Sequence, residues 1–370
     1  MRAPSARRVA AIAASALVLA LAAAVPAVAA VPADLRLAFV GDIMGHEVNY
    51  AMDDYHDIYR GVTDLFRSQD FTFANLEFPL DPSRPSSGYP YFNGTAGYLA
   101  AAIDAGINLF SLANNHAFDG GEEGIFQTYR QLEHHREDGR VLAFSGTRGN
   151  PWKPFEAQSF TVRGVHVGFI AVAQFLNERD GGRYVHVVDY ADASQAEEFL
   201  SWVRAVSPMY DLFIVSYHGD REYVQVPAPA KRAFFRALLS AGAQIVVGHH
   251  PHVIQEYETV ESRGARRLIM YSMGNLVSGM TWRMAPSQLR GVLAATGETF
   301  LLQVRVHCGA DGCTVQETDP VPLAVYQDPN GHEVLARMEE LATGGVKVSA
   351  EWRAYYAGRL ALMREFLGMK

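Results

Sequence analysis

The chain has 370 residues, 49% of them hydrophobic and 19% charged, with a formal net charge of −8. That length and composition suit one large globular domain, or two smaller ones, with a sizeable core. The acidic balance excludes a partner such as nucleic acid that needs a basic surface, and a count of two cysteines excludes a disulfide-dense scaffold.

The N-terminus differs from the rest. Arg2, Arg7 and Arg8 precede an apolar run from Val9 to Val25, which closes on Pro26-Ala27-Val28-Ala29. A basic start, an apolar middle and a small-residue end form a secretory signal peptide, here residues 1–29. The protein is therefore expected in the periplasm, the cell envelope or the extracellular space. Left uncleaved, the same run is near the length of a membrane anchor. Arg7-Arg8 adds a weak twin-arginine signal. Without this segment 29 basic and 40 acidic residues remain, a net charge near −11. An acidic protein still accommodates an anionic substrate where a bound divalent cation reverses the local charge.

Short apolar runs and helical patterns then alternate. Leu35 to Val40 reads as a strand ending in Gly41-Asp42, and a helical pattern follows around Ile58 to Phe66. Phe71 to Ala74 is a strand ending in Asn75-Leu76-Glu77. The Pro- and Gly-rich stretch from Asp81 to Gly94 is a long loop expected to lie over the site. Leu99 to Ala105 is a short helix closed by Gly106. Leu109 to Ala113 is a strand ending in Asn114-Asn115-His116. Gly124 to His135 is amphipathic, with Ile125, Tyr129 and Leu132 on one face. Asp119 reads as the N-cap of that helix, and His134-His135 as surface. Val165 to Val172 is a buried strand. Helices are expected over Ala196 to Val206 and over Ala228 to Ala241, the second capped by Gly242. Between them Leu212 to Tyr217 is a strand ending in His218. Val253 to Val260, Arg267 to Ser272 and Thr299 to His307 make a later β-rich block. Glu333 to Leu341 and Ala350 to Leu367 read as helical, the last with an apolar stripe of Trp352, Tyr356, Met363 and Leu367 that docks it on the body. Strands alternating with helices, then a β-rich block, imply an α/β sheet with a second sheet packed on it. Cys308 and Cys313 flank an Asp-Gly turn. In an exported chain they read as a hairpin disulfide; a zinc pair would find only His307 nearby.

The densest chemical signal is Val246-Val247-Gly248-His249-His250-Pro251-His252-Val253, where an apolar run stops at a glycine and three imidazoles follow within four positions. Neutral imidazole is the commonest protein ligand for a transition metal. Five strand candidates each end in a carboxylate, amide or imidazole, and in open α/β sheets ligands gather beyond the carboxyl ends of strands. Asp42, Glu77, Asn115, His218, His250 and His252 form a mixed oxygen and nitrogen set. A single structural zinc takes four ligands, usually including Cys, so this set suits two divalent ions (Mn, Zn, Fe or Mg) bridged by a carboxylate. His116, beside a ligand amide, is placed to protonate a leaving group. Glu222, Tyr271 and Asn275 are candidates for the substrate pocket, although Tyr271 and Asn275 fit plain sheet and turn roles equally well. His166 and His186 have no sequence partners and read as structural.

These motifs resemble the poly-γ-glutamate capsule-synthesis (CapA-type) family, a branch of the calcineurin-like metallophosphoesterases. The resemblance rests on Gly41-Asp42-Ile43-Met44 and Asn75-Leu76-Glu77-Phe78-Pro79-Leu80. It continues through Ser111-Leu112-Ala113-Asn114-Asn115-His116 with Asp119, Gly121 and Gly124, and through His218 with Glu222-Tyr223. Gly248 to Val253 with Gln255, and Tyr271-Ser272-Met273-Gly274-Asn275-Leu276, complete it. It implies an α/β fold, a four-layer sandwich of two mixed sheets flanked by helices. In domain terms this gives a body over 33–325 and a C-terminal helical extension over 326–370. It also implies that Asp42 is the opening ligand, Glu77 the bridging carboxylate, Asn115 the amide ligand, His116 the catalytic imidazole, and His218, His250 and His252 the late ligands. His249 falls at a variable position, outside the set. Two departures stand out. Met44 occupies a place where the wider superfamily has His, with His46 the nearest substitute. Gly219-Asp220 stands in place of a Trp-Gly pair, which puts a carboxylate beside His218.

The expected function is metal-dependent hydrolysis or transfer in capsule or poly-γ-glutamate biosynthesis. The substrate would be an anionic polymer or a phosphoester, and the setting the capsule-synthesis machinery at the envelope. The rival is a non-catalytic assembly or polymer-binding factor on a metallophosphatase scaffold, which the missing imidazole at Met44 favours. A metal-free sugar-binding protein is a third reading, and it makes the five strand-end motifs a coincidence. N-terminal sequencing of protein recovered from the envelope should begin near Ala30; a retained Met1 would remove the cleaved-signal reading.

Overall fold

The computed structural model describes residues 32–148 and 154–369, so residues 1–29, the expected signal peptide, lie outside the described residues. In chain order the first part comprises β1 (Ala33–Ile43), α1 (Glu47–Tyr50), α2 (Thr63–Arg67), β2 (Phe71–Leu76), α3 (Ala96–Ala105), β3 (Leu109–Ser111), α4 (Gly121–Glu137) and β4 (Ala143–Ser145). Next come β5 (Gln158–Val162), β6 (Val165–Ala173), α5 (Ala193–Val206), β7 (Leu212–His218), α6 (Pro229–Ala241), β8 (Ile245–His249), β9 (Tyr257–Ser262) and β10 (Ala265–Met270). The chain closes with β11 (Asn275–Val277), α7 (Val292–Ala295), β12 (Glu298–Gly309), β13 (Gly312–Gln327), β14 (Glu333–Arg337), α8 (Met338–Thr343) and α9 (Ala350–Phe366). Among these described residues no helix is long and apolar enough to cross a membrane.

The strands form two mixed sheets. One runs β14-β13-β12-β1-β2-β3-β4 with β11 beside β1, and the other runs β5-β6-β7-β8-β10-β9. In the first, β1 to β4 are parallel while β12 to β14 join antiparallel. In the second, β6, β7, β8 and β10 are parallel and the two outer strands antiparallel. Side chains alternate between the faces of a strand, and both faces are covered here. Leu35, Leu37 and Phe39 of β1 point into the core between the sheets, against Val167, Phe169, Ile214 and Val247 of the other sheet. Ala38 and Val40 point outward beneath Leu99, Ala102 and Leu132 of α3 and α4. On the far side Phe199 of α5 and Phe235 and Leu238 of α6 cover Val172, Val215 and Val246. The result is a four-layer sandwich of two mixed sheets flanked by helices. It explains why the central strands read as continuous apolar runs and not as alternating ones. Each such large apolar side chain contributes roughly 1.5–3 kcal/mol by leaving water.

Several elements differ from expectation. Glu333–Arg337 is a strand paired antiparallel to β13, not the start of a helix; only Met338–Thr343 is helical. Five residues carry too little periodicity to separate strand from helix, and the open edge of β13 decides. Because β13 runs from Gly312 to Gln327, it crosses the boundary expected at 325/326. Helix α9 docks as expected, with Tyr356, Leu360 and Met363 in the core between the sheets. The helix expected over Ile58 to Phe66 is split into a 3-10 turn over Tyr55–Tyr59 and α2. Strand β9 starts only at Tyr257, because the residues after Val253 belong to a loop. His135 is buried rather than on the surface, with Arg140 Nη1 3.2 Å from its Nδ1. His186 is buried, 3.2 Å from the Ala171 carbonyl, whereas His166 is exposed on β6 with its ring against Tyr210. Cys308 and Cys313 face each other across β12 and β13 and are bonded, with Cα atoms 4.0 Å apart.

Glu333, 2% exposed, opens β14, and burial pushes its carboxyl up to about 7. The folded state therefore holds a proton that the unfolded chain has already lost between pH 4.5 and about 7. Stability falls as pH rises through that window and stays lower above it. Glu333→Gln should raise the melting temperature at pH 8, by the equivalent of roughly 1–3 kcal/mol, and leave it nearly unchanged at pH 4.5. Thermal melts across pH 4.5 to 8.5 check this.

Candidate metal centre

The C-terminal ends of β1, β2, β3, β7 and β8 meet where the two sheets face each other. Two glycines permit the approach. A Cβ on Gly41 would lie 1.9 Å from the Gly274 carbonyl oxygen, and one on Gly248 would lie 2.0 Å from that of Tyr271. Each glycine precedes a site residue, Asp42 and His249, so the strand ends seat their polar side chains against neighbouring backbone.

Asp42, Glu77, Asn115, His116, His218, His250 and His252 are all buried there. Asn75 organises the floor. Its Nδ2 donates to Asp42 Oδ1 at 2.9 Å, and lies 3.4 Å from Glu77 Oε2 and 3.3 Å from His218 Nδ1. His218 Nε2 stands 2.8 Å from Asn115 Oδ1, 3.1 Å from His250 Nδ1 and 3.5 Å from Glu77 Oε1. His252 Nε2 is 3.8 Å from the same Glu77 oxygen, and its Nδ1 is 2.9 Å from Asn275 Oδ1.

Two sets of ligand atoms result, Asp42/Glu77/His218 and Glu77/His250/His252, each with its three atoms within 4.8 Å of one another. Donors about 2.1 Å from one ion lie at most about 4.2 Å apart, so each set needs only a small contraction. Glu77 is common to both. Its Oε1 is buried without a hydrogen-bond partner, an orphan that a cation would satisfy. The electrostatics agree. Burial, with the Asp42 charge next to it, pushes the Glu77 carboxyl well above its ordinary range. Burial tends to raise Asp42 as well, but contacts with His249, His252 and Asn75 bring it below its usual value. Burial, then neighbouring imidazoles, holds His218 well below its ordinary value and His250 down to about 3. These two rings are therefore neutral at physiological pH, as metal donors must be.

His116 lies on the same wall. Its Nδ1 is 2.7 Å from Asp119 Oδ2, and Asn177 Nδ2 is 3.4 Å from each ring nitrogen. Asp119 is thus not the N-cap of α4, a place taken by Gly120. It accepts from the Phe92 N–H at 2.8 Å as well, and the Phe92 ring packs edge-on against His116 with centroids 4.6 Å apart. The 81–94 loop therefore reaches over the site, held in shape by buried Asn93, whose side chain donates to the carbonyls of Asp81, Arg84 and Pro85. The loops after β7 and β8 bend sharply. Asp220, Tyr223, His250 and His252 have φ of 107°, 60°, 94° and 56°, each costing on the order of 1–3 kcal/mol for a residue other than Gly.

The remaining candidates divide. Asn275 holds the far nitrogen of His252. Glu222 is exposed at the rim, close enough for its charge to act on Glu77. Tyr271 is not in the pocket; its hydroxyl donates to Glu258 at 2.6 Å and its ring stacks on Phe235 in the outer layer. It points out of the site because, directly after β10, it continues onto the helix-covered face of the sheet. His46 does not stand in for the missing imidazole at Met44. It packs on Phe92 and accepts from Gly279 N–H at 3.1 Å, outside both ligand sets. His249 is buried with Nδ1 2.9 Å from Asp42 Oδ1. Asn75, Asp119, Asn177 and His249 were not assigned from sequence. Asn-x-Glu on one strand face and His-x-x-Asp were legible signals for Asn75 and Asp119; Asn177 comes from the loop after β6 and has none.

Two mixed sheets between helices thus bring carboxylates, amides and imidazoles together at their shared C-terminal edge. The chain belongs to the bacterial capsule synthesis protein PGA_cap family, whose profile matches residues 36–280. It is 26% identical to the capsule biosynthesis protein CapA of Bacillus anthracis over 80% of this chain and 71% of that one. It is likewise 26% identical to the PGA biosynthesis protein CapA of Bacillus subtilis, over 67% of this chain and 64% of that one. Among solved structures, a novel phosphatase from Mycoplasma pneumoniae is similar with a TM-score of 0.46 and 13% identity, over 81% of this chain and 96% of that one. The calcineurin-like phosphoesterase YfkN from Bacillus subtilis is similar with a TM-score of 0.40 and 11% identity, over 90% and 98%.

Sharing of Glu77 gives a test by stoichiometry. Glu77→Ala should abolish Mn²⁺ binding altogether, whereas His252→Ala should spare the Asp42/Glu77/His218 set and lower the number of ions bound. Calorimetric titration of the metal-free protein reads both.

Proposed function

We propose that the protein is an exported metal-dependent hydrolase or transferase acting on an anionic polymer or phosphoester during capsule or poly-γ-glutamate biosynthesis. The observation that carries this is the orphaned, buried Glu77 carboxylate shared by two sets of donors. Asp42, Glu77, Asn115, His218, His250 and His252 would hold two divalent ions, of Mn, Zn, Fe or Mg. Such ions, when bound, acidify water into a nucleophile and neutralise charge on the reacting oxygens. The chain's own side chains do the rest. Asp119 at Nδ1 fixes the His116 ring and supports a positive charge on it, leaving Nε2 to hand a proton to the departing oxygen. Asn177 borders that ring from the loop after β6. Phe92 covers its face and shields the His116–Asp119 contact from water, where a charged hydrogen bond is stronger. Glu222 at the rim disfavours anionic groups on its side and so biases how an anionic chain would lie. Export through residues 1–29 would deliver the protein to the envelope, where it would meet the capsule-synthesis machinery.

The second reading, a non-catalytic polymer-assembly factor, is favoured by Met44. That side chain is buried where the resembling superfamily has an imidazole, and its carbonyl accepts from the Tyr98 hydroxyl at 2.8 Å. Incubation of Mn²⁺-loaded protein with poly-γ-glutamate and with a generic phosphodiester separates the two. In the catalytic case His116→Ala lowers turnover ~10²–10⁴-fold with metal content unchanged, and Asp119→Asn lowers it in the same direction. If neither substrate is turned over while His250→Ala abolishes polymer binding, the assembly reading replaces the catalytic one.

A further inference from the structure

Lys231, in the first turn of α6, is fully buried (0% exposed). Its Nζ donates to the Gly219 carbonyl at 3.1 Å and to Gln255 Oε1 at 3.2 Å, and lies 3.8 Å from Asp220 Oδ2. Gln255 extends the contact, because its Nε2 donates to the Val224 carbonyl at 2.7 Å and its N–H to that of Ser272 at 3.0 Å. Asp220 accepts from Ala228 N–H at 3.1 Å, and its own N–H donates to Gln174 Oε1 at 2.9 Å. The carboxylate expected beside His218 in the pocket is thus engaged with Lys231 and the start of α6. Burial pushes the Lys231 ammonium down to about 8, although Asp220 and Asp42 act to raise it.

One ammonium therefore joins two loops. The first starts directly after His218, and the second carries His250 and His252. These are the loops that place four non-glycine residues at positive φ, a shape that L-residues do not hold by local preference. A buried cation with directed hydrogen bonds to both loops supplies what local preference does not. We propose that Lys231 is the positioning residue of the metal centre, clamping the loops after β7 and β8 so that His218, His250 and His252 converge. The inference rests on the metal-centre reading above.

Lys231→Met keeps the volume of the stem and removes the donors. Lys231→Met, titrated calorimetrically at a temperature where the metal-free variant is still folded, should bind Mn²⁺ at least tenfold more weakly than the parent protein, beyond any fall in its metal-free melting temperature. The Mn²⁺ electron paramagnetic resonance spectrum at saturation should change as well. A merely structural lysine would lower the metal-free melting temperature and leave the affinity of the folded fraction and the spectrum unaltered. Gln255→Met cuts only the arm to the second loop, so it should weaken Mn²⁺ in the same direction by a smaller factor; it also serves should Lys231→Met not fold. Unchanged Mn²⁺ affinity in the folded variants overturns the inference alone. A parent protein that binds no Mn²⁺ overturns the metal centre itself.

Discussion

Asp42 and Glu77 are both fully buried, on neighbouring strand ends, at the seam between two sheets. Two carboxylates in that position cannot both ionise without a cation, since burial and mutual repulsion act on the same proton. Contacts with His249, His252 and Asn75 hold the Asp42 carboxyl below its usual range, whereas burial and the Asp42 charge push the Glu77 carboxyl well above its own. A divalent ion would relieve that repulsion and satisfy the orphaned Oε1. The arrangement costs folding free energy in the metal-free state, so the surrounding sandwich has to be rigid enough to impose it.

The four layers meet that demand. Parallel strands from both sheets end at the same seam, so Asp42 and His218 lie on strands, Glu77 follows one directly and Asn115 sits in the turn after β3. The exceptions are His250 and His252, which follow the end of β8 on a sharply bent segment, and the buried Lys231 sits beneath it. His116 is held differently, by Asp119 from its own segment and by Phe92 from the overlying loop. Asn177 touches both His116 and Asn115 and so links this wall to the candidate ligand set.

The family match ends at residue 280, but the fold does not. Strand β12 pairs with β1 along most of its length, β13 and β14 extend the sheet, and α9 contributes Tyr356, Leu360 and Met363 to the core between the sheets. Residues beyond 280 therefore brace the strand that carries Asp42. The bidentate pair of Arg359 with Glu298 ties α9 to the first residue of β12. In the Bacillus relatives, which this chain covers over 71% and 64% of their length, such bracing need not be built from the same residues.

The layered α/β class and the strand-end donors were legible in sequence for a local reason. A buried strand is a short apolar run, and its carboxyl end is the next few residues, so Asp42, Glu77, Asn115, His218 and His250 could be placed without knowing their neighbours. The Cys308–Cys313 hairpin was legible for the same reason, since its two ends are five residues apart. What depended on contacts between distant segments was not. Glu333–Arg337 became a strand because β13 offered an unpaired edge. Tyr271 fell on the helix-covered face because the register of β8 with β10 set which way the segment after β10 points. Asp119 turned to His116 because the Phe92 N–H, from another loop, shares its carboxylate. Lys231 carries no sequence signal of burial, and only the closing of the loops after β7 and β8 over it makes it a buried cation. Sequence determines what a short segment can do chemically; which partners it meets is decided when the sheets pack, because hydrogen bonds and burial act on distances that chain order does not contain.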